Sequence, residues 1–238
     1  MVLTLSMLSC VGNTNYCSNK YLFNDGWLFF RVDSSIALDE NKLINGIFPH
    51  QAENVTLPHT AHIEPLIVNN QWQGISYYSK SFQLSSKNKG QNIFLKFEGA
   101  MNVADVWVNG VHVKQHLGGF LPFIINIDKV VKYDSLNVLV LKLDNRDTPI
   151  TGPKPLKELD FNTYGGIYRN VWLITKSSVH ISDPIYANQK GGGGIFIRTK
   201  NVTEVSALID IKTNLVNSNK EKKNVELIHT LFDNSDNE

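Results

Sequence analysis

Asn109-Gly110 is the dipeptide that most constrains this chain. It sits between two alternating runs, Ala104-Asp105-Val106-Trp107-Val108 and Val111-His112-Val113-Lys114. Both residues accept the positive φ of a type I′ turn, so the segment reads as a tight β-hairpin. A two-residue loop sets the register, placing Val108 opposite Val111, Trp107 opposite His112, Val106 opposite Val113 and Asp105 opposite Lys114. Alternation then assigns Ala104, Val106, Val108, Val111 and Val113 to one apolar face, which belongs in a core. Asp105, Trp107, His112 and Lys114 occupy the other face. A half-buried antiparallel hairpin of this kind calls for more sheet around it.

The rest of the chain supplies that sheet. Strand signals lie at Trp27, Phe29 and Arg31 after the turn Asn24-Asp25-Gly26, at 55–60 up to Pro58, and at 76–84, 92–98, 123–127, 136–143 and 170–174. With the hairpin, about eight or nine short strands fall between residues 21 and 177, and no amphipathic helix stands out. Residues 36–51 are the least patterned and read as a surface loop. Two long loops, 64–75 and 144–163, interrupt the strands, and long ordered loops on β scaffolds usually carry function. The economical arrangement is an all-β, jelly-roll sandwich.

The pattern changes near Ser177-Ser178. Strand signals at 179–187, 194–199, 205–213 and 225–231 form a second group, with turns at 191–194 and 217–223. Four strands are roughly half of an immunoglobulin-like sandwich, which needs about seven strands and about 100 residues. The expected organisation is an N-terminal segment (1–20), a jelly-roll domain (21–177) and a partial immunoglobulin-like domain (178–238), with the chain ending inside the latter.

Charge narrows the partner class. The 238 residues carry a net charge of +1, and the one basic run, Lys220-Glu221-Lys222-Lys223, lies among Asn and Ser. Nucleic acid requires a concentrated positive stripe, which this chain lacks, so the expected partner is neutral. At the N-terminus, an apolar run from Val2 ends in Leu8-Ser9-Cys10, without a basic flank and too short to span a bilayer. It is similar to the end of a bacterial lipoprotein signal, which implies a periplasmic or envelope location with Cys10 lipidated. The alternative is an unstructured N-terminus with an incidental cysteine and a cytoplasmic protein. Cys10 and Cys17 are the two cysteines and say little about redox compartment.

Several short motifs, taken together, resemble the N-terminal sugar-binding domain of glycoside hydrolase family 2. They are Leu57-Pro58-His59-Thr60, Gly74 with Tyr77-Tyr78-Ser79-Lys80-Ser81-Phe82, and Phe97-Glu98-Gly99-Ala100 leading into Val106-Trp107-Val108-Asn109-Gly110. His116-Leu117-Gly118-Gly119-Phe120-Leu121-Pro122-Phe123, Asp144-Asn145 and the run from Asp160 through Tyr164-Gly165-Gly166 to Arg169 complete the set. Order and spacing match over about residues 21–177, and 178–238 resembles the start of the family's immunoglobulin-like second domain. The nearest subgroup is the β-galactosidases, followed by β-glucuronidases and β-mannosidases. The resemblance implies a β-galactoside or related β-glycoside as ligand, and a TIM barrel holding two catalytic glutamates. This sequence has no eight-fold strand–helix repeat, so the barrel glutamates have no counterpart and these residues by themselves are expected to be non-catalytic. A free-standing, lectin-like surface module is the rival reading.

The candidate residues follow. A retaining glycosidase needs two carboxyl groups about 5 Å apart, and no pattern pairs any two of Glu98, Asp105, Glu158 and Asp160. The resemblance implies that Asp160 reaches a sugar, where a carboxylate accepts hydrogen bonds from vicinal hydroxyls; the alternative is a loop carboxylate paired with Arg169. Gln73 stands where the family usually has a sugar-facing Asn, and Asn70 competes for that role. Trp72 either stacks on a sugar face or packs, Trp107 reads as packing, and Tyr164 is a further exposed aromatic. His59 and His62 share no helix face, so no metal site is expected, and nothing calls for a cofactor.

Overall fold

The computed structural model describes residues 18–33, 38–64, 71–151, 158–159 and 161–232. Cys10, Cys17, Asn70 and Asp160 lie outside the described residues. In chain order the first strands are β1 (Asn19–Leu22), β2 (Trp27–Arg31), β3 (Glu53–Val55), β4 (Ile75–Gln83) and β5 (Asn92–Phe97). Then come β6 (Val103–Val108), β7 (Val111–Leu117), β8 (Phe123–Asn126), β9 (Leu136–Asp144) and β10 (Val171–Lys176). A short helix, α1 (Glu40–Ile44), lies between β2 and β3.

Lys20–Ile174 forms one compact unit. Its strands make a six-stranded sheet in the order β3-β2-β4-β9-β6-β7 and a four-stranded sheet in the order β1-β10-β5-β8. The core lies between them: Trp27, Phe29, Tyr78, Val106, Leu139 and Leu141 from the first sheet meet Ile93, Leu95, Phe97, Phe123, Ile125 and Leu173 from the second. Alternation leaves a second apolar set on the outside of the larger sheet, where Phe30, Tyr77 and Val140 pack with Leu43 of α1. Residues 36–51 therefore hold a helix as well as loop. Asp39 caps it by accepting from the Lys42 amide, and covering the outer apolar set keeps Leu43 buried. The all-β sandwich is the fold the alternation implies.

The organising hairpin is present with a correction. Asn109 and Gly110 have φ of 53° and 78°, as a type I′ turn requires. Val108 opposes Val111 and Trp107 opposes His112, but beyond them the register slips, pairing Val106 with Lys114 and Asp105 with Gln115. The extra residue, Val113, is a β-bulge on β7. Asp105 accordingly accepts from Gln115 (3.1 Å) and meets His112 Nε2 (3.0 Å), and the expected pairing with Lys114 is absent from the register. Val111 is 50 % exposed and not in the core; β7 is the edge strand, where less of the facing sheet covers it.

The second unit takes in Thr175 onward. β11 (Val179–Ile181) pairs with β14 (Leu215–Asn217), and β12 (Ile195–Lys200) pairs with β13 (Leu208–Thr213), both antiparallel. Ser182 joins the two ribbons, its amide donating to Asn214 O (3.0 Å) and its hydroxyl accepting from Gly194 N (2.9 Å). The strand signal over 179–187 breaks at Pro184, where Asp183 caps the short helix α2 (Pro184–Ala187). Residues 225–231 alternate but form no strand; Val225, Leu227 and Ile228 are exposed and no described backbone pairs with them. Alternation alone does not supply a hydrogen-bonding neighbour.

Candidate sugar-facing site

The dispersed motifs meet at one end of the larger sheet. β4 and β9 finish with Ile75 opposite Asp144, and the loops beyond them are clamped by Asn145. Its Oδ1 accepts from Gly74 N (2.7 Å) and its Nδ2 donates to Trp72 O (3.1 Å). The 59–61 segment pairs with the glycine motif: His59 N donates to Ile167 O (2.8 Å) and Ala61 N to Gly165 O (2.9 Å). Both glycines are required by close approach. A Cβ at Gly165 would lie 2.7 Å from Asn145 Nδ2, and one at Gly166, where φ is +108°, would lie 2.5 Å from His59 O. Beneath them His59 Nδ1 and the Tyr78 hydroxyl are 2.8 Å apart. Burial holds the His59 imidazole below its ordinary range, against an opposing pull from Glu53, and burial pushes the Tyr78 phenol up.

These loops enclose a shallow cleft lined by His62, Glu64, Gln71, Trp72, Thr163 and Tyr164. Glu64 Oε1 accepts from the Trp72 amide (2.6 Å), and Gln71 Oε1 accepts from the Thr163 amide (3.0 Å). The second bond ties the 71–74 loop to the 161–165 loop. Arg31, at the end of β2, donates from Nη1 to His62 Nδ1 (2.7 Å) and sets its guanidinium 5.5 Å from the Trp72 ring centre.

Of the sequence candidates, Trp72 lies in the cleft wall and packs against the core, so tightly that a Cβ at Gly74 would come within 2.7 Å of its ring. Gln73 is beside it, with Nε2 donating to Asp147 Oδ1 (2.7 Å). Tyr164 is partly exposed and its hydroxyl accepts from Asn162 (3.1 Å). Asn70 and Asp160 fall outside the described residues, next in sequence to Gln71 and Phe161 respectively. Two of the other carboxylates are engaged apart from the site and from each other: Glu98 accepts from Trp172 Nε1 (2.8 Å), and Asp105 belongs to the hairpin. Trp107 makes a T-shaped contact with His112 at 5.1 Å and packs against the outer apolar set. His59 and His62 bond different partners, Tyr78 and Arg31. Sequence reasoning missed Arg31, Glu64 and Gln71; nothing local marks them, because their roles arise from loops brought together by the sheet.

With this geometry in view, residues 34–177 match the family described as glycosyl hydrolases family 2, sugar binding domain. The chain belongs to glycoside hydrolase family 2. It is 33 % identical over 228 residues to a β-glucuronidase of Formosa agariphila, covering 90 % of this chain and 23 % of the relative. It is also 33 % identical over 173 residues to a β-galactosidase of Thermoanaerobacter pseudethanolicus, covering 71 % of this chain and 22 % of that protein. A solved family 2 β-glucuronidase superposes with a TM-score of 0.72 at 30 % identity, covering 89 % of this chain and 23 % of that one. The chain thus spans about a quarter of the length of these relatives, and residues 34–177 of it are the family's sugar-binding domain. Among the described residues no strand–helix repeat of a catalytic barrel is present.

Proposed function

We propose that the cleft between the 71–74 and 161–165 loops is the face this family 2 domain turns toward a β-galactoside or related β-glycoside, as the rim of a sugar pocket completed by a catalytic barrel. The observation that carries the reading is the Gln71–Thr163 bond, which joins the two loops that hold Gln73 and adjoin Asn70 and Asp160. A rim of this kind needs rigid loops offering amide and carboxylate partners to hydroxyls. Relatives named both β-glucuronidase and β-galactosidase support a β-glycoside and leave the sugar to experiment.

The test is the reading frame beyond Glu238 and, in the longer product, the variant Asp160→Asn. An in-frame barrel is expected, and losing a charge-assisted bond to the sugar should lower kcat/KM for an aryl β-glycoside by about ten- to a hundredfold. A stop codon at that point, with a stable chain that binds sugar, overturns the reading in favour of a free-standing module. The proposal includes an envelope location through Cys10, supported by Leu8-Ser9-Cys10; lipid labelling that survives Cys10→Ser would overturn that part.

A further inference from the structure

Two Asn-Gly dipeptides occur in this chain, in the closely similar settings Ile44-Asn45-Gly46-Ile47 and Val108-Asn109-Gly110-Val111. Glycine leaves the following amide nitrogen unhindered, so a carboxamide before it is open to attack from the main chain. The fold treats the two asparagines oppositely. Asn109 is half-buried and its amide is held at both ends: Nδ2 donates to Val130 O (2.7 Å) and Asn137 Oδ1 (2.9 Å), and Oδ1 accepts from Val138 N (3.0 Å). Asn45, the C-cap of α1, is exposed. Among the described residues its amide makes one hydrogen bond, from Nδ2 to Asn41 O (2.8 Å). The Gly46 amide donates to Leu43 O (2.8 Å), in the last turn of a five-residue helix. Such a turn frays readily, and fraying releases both groups together. The fold nevertheless demands the glycine: Gly46 has a φ of +80°, and a Cβ there would lie 2.5 Å from Val138 Cγ1.

We propose that Asn45-Gly46 is a site of spontaneous deamidation whose product loosens α1. The Gly46 nitrogen gives its proton to hydroxide, and its lone pair forms a bond to Asn45 Cγ. The Cγ–Nδ2 bond then breaks, and ammonia leaves with a proton from water, which regenerates the hydroxide. Water opens the resulting cyclic succinimide in either of two ways. Cleavage of the new Cγ–N bond leaves aspartate, whereas cleavage at the main-chain carbonyl leaves isoaspartate, with the chain running through Cβ and Cγ. Both products put a carboxylate at a helix C-terminus, where the macrodipole opposes it. A carboxylate also has no hydrogen to donate to Asn41 O. The helix affected is the cover of the outer apolar set. Leu43 packs with Phe30, Tyr77 and Val140, and Glu40 accepts from the Tyr77 hydroxyl (2.9 Å) and Lys142 Nζ (2.6 Å). Loss of the last turn of α1 therefore loosens the layer over β2, β4 and β9.

The test is timed incubation of the 238-residue chain at neutral and mildly alkaline pH, folded and in urea. Peptide mass mapping and isoaspartyl methyltransferase labelling then read each site. In the folded chain, residue 45 should gain the acid mass about tenfold to a hundredfold faster than residue 109, because freeing Asn109 breaks two more hydrogen bonds. In urea the two rates should converge, since the local sequences are so alike. Both should rise with pH as the attacking amide loses its proton. Asp25-Gly26 forms the same ring without a mass gain, and mapping separates its label. Asn45→Gln, whose longer side chain closes a ring slowly, should keep the fold and remove the label at 45. Asn45→Asp should speed amide exchange at Gly46 by about threefold to thirtyfold, with Leu141 unmoved. Equal rates at 45 and 109 in the folded chain, or no gain at 45 while the urea sample reacts, would overturn the site. Unchanged exchange at Gly46 in both the deamidated chain and Asn45→Asp would overturn the loosening of α1 and leave the site standing.

Discussion

The two units of this chain use the same alternating strands and reach different degrees of burial. In the first, β4, β9 and β6 are each flanked on both edges and faced by a second sheet, so Tyr78, Leu141 and Val106 are fully buried. In the second, β12 and β13 pair with no third strand among the described residues, and Ile197 and Leu208 remain 43 % and 51 % exposed. An isolated two-stranded ribbon is marginal in water because half its apolar surface has no cover. The contrast shows that period-2 patterning specifies a strand and its faces, while burial depends on whether another layer lies over the face.

The largest effect that would sharpen this contrast is a matched pair of truncations. Leu141→Ala should cost about 2–5 kcal/mol, as for a fully buried side chain that leaves a cavity. Ile197→Ala should cost less than about 1 kcal/mol, since water already reaches it. Amide exchange measured separately in β9 and β12 reads each unit, and equal losses would break the comparison.

Next come two asparagines at positive φ. Asn109 (φ 53°) donates from Nδ2 to Val130 O (2.7 Å) and Asn137 Oδ1 (2.9 Å), and its Oδ1 accepts from Val138 N (3.0 Å). Asn201 (φ 48°), at its turn in the second unit, makes no such cluster among the described residues. Asn109→Ala should cost about 2–4 kcal/mol, combining strained backbone with orphaned buried partners, and Asn201→Ala about 1 kcal/mol from backbone alone. Glycine at 201 should recover the loss, whereas glycine at 109 should not; recovery at both sites would refute the role of the amide cluster.

The smallest effect is a pH dependence of the first unit. Burial holds His59 and His116 below the ordinary histidine range, with Lys114 adding to the effect at His116. The folded state then takes up a proton less readily than the unfolded chain. Stability of this unit should fall as pH drops from about 6.5 through the lowered folded values. His116 stacks on Phe123 at 4.4 Å, and its Nε2 is buried without a partner among the described residues. His116→Phe should therefore leave stability at pH 7 unchanged or raised, and flatten the slope of Tm against pH. An unchanged slope would remove His116 from this account.

The sequence by itself determined the local features of this protein. Asn109-Gly110 dictated the turn because both residues accept its dihedrals, and alternation dictated which residues of β4, β5, β6 and β9 face inward because the pleat has a period of two. The family motifs were likewise legible as strings, and with them the sugar-binding class. Tertiary structure decided what depends on distant partners. The bulge at Val113 follows from how β7 pairs along β6, and no residue within the hairpin announces it. Residues 225–231 have the pattern of a strand, and no strand among the described residues pairs with them. Gly165 must be glycine because Asn145, twenty positions earlier in the chain, occupies the space beside it. Glu64, Gln71 and Arg31 are unremarkable polar residues in sequence; they acquire chemistry only where the Trp72 amide, the Thr163 amide and His62 meet them. Patterns set by one residue's own backbone and its immediate neighbours are written in the chain, whereas a hydrogen bond between loops exists only after the sheet has brought its ends together.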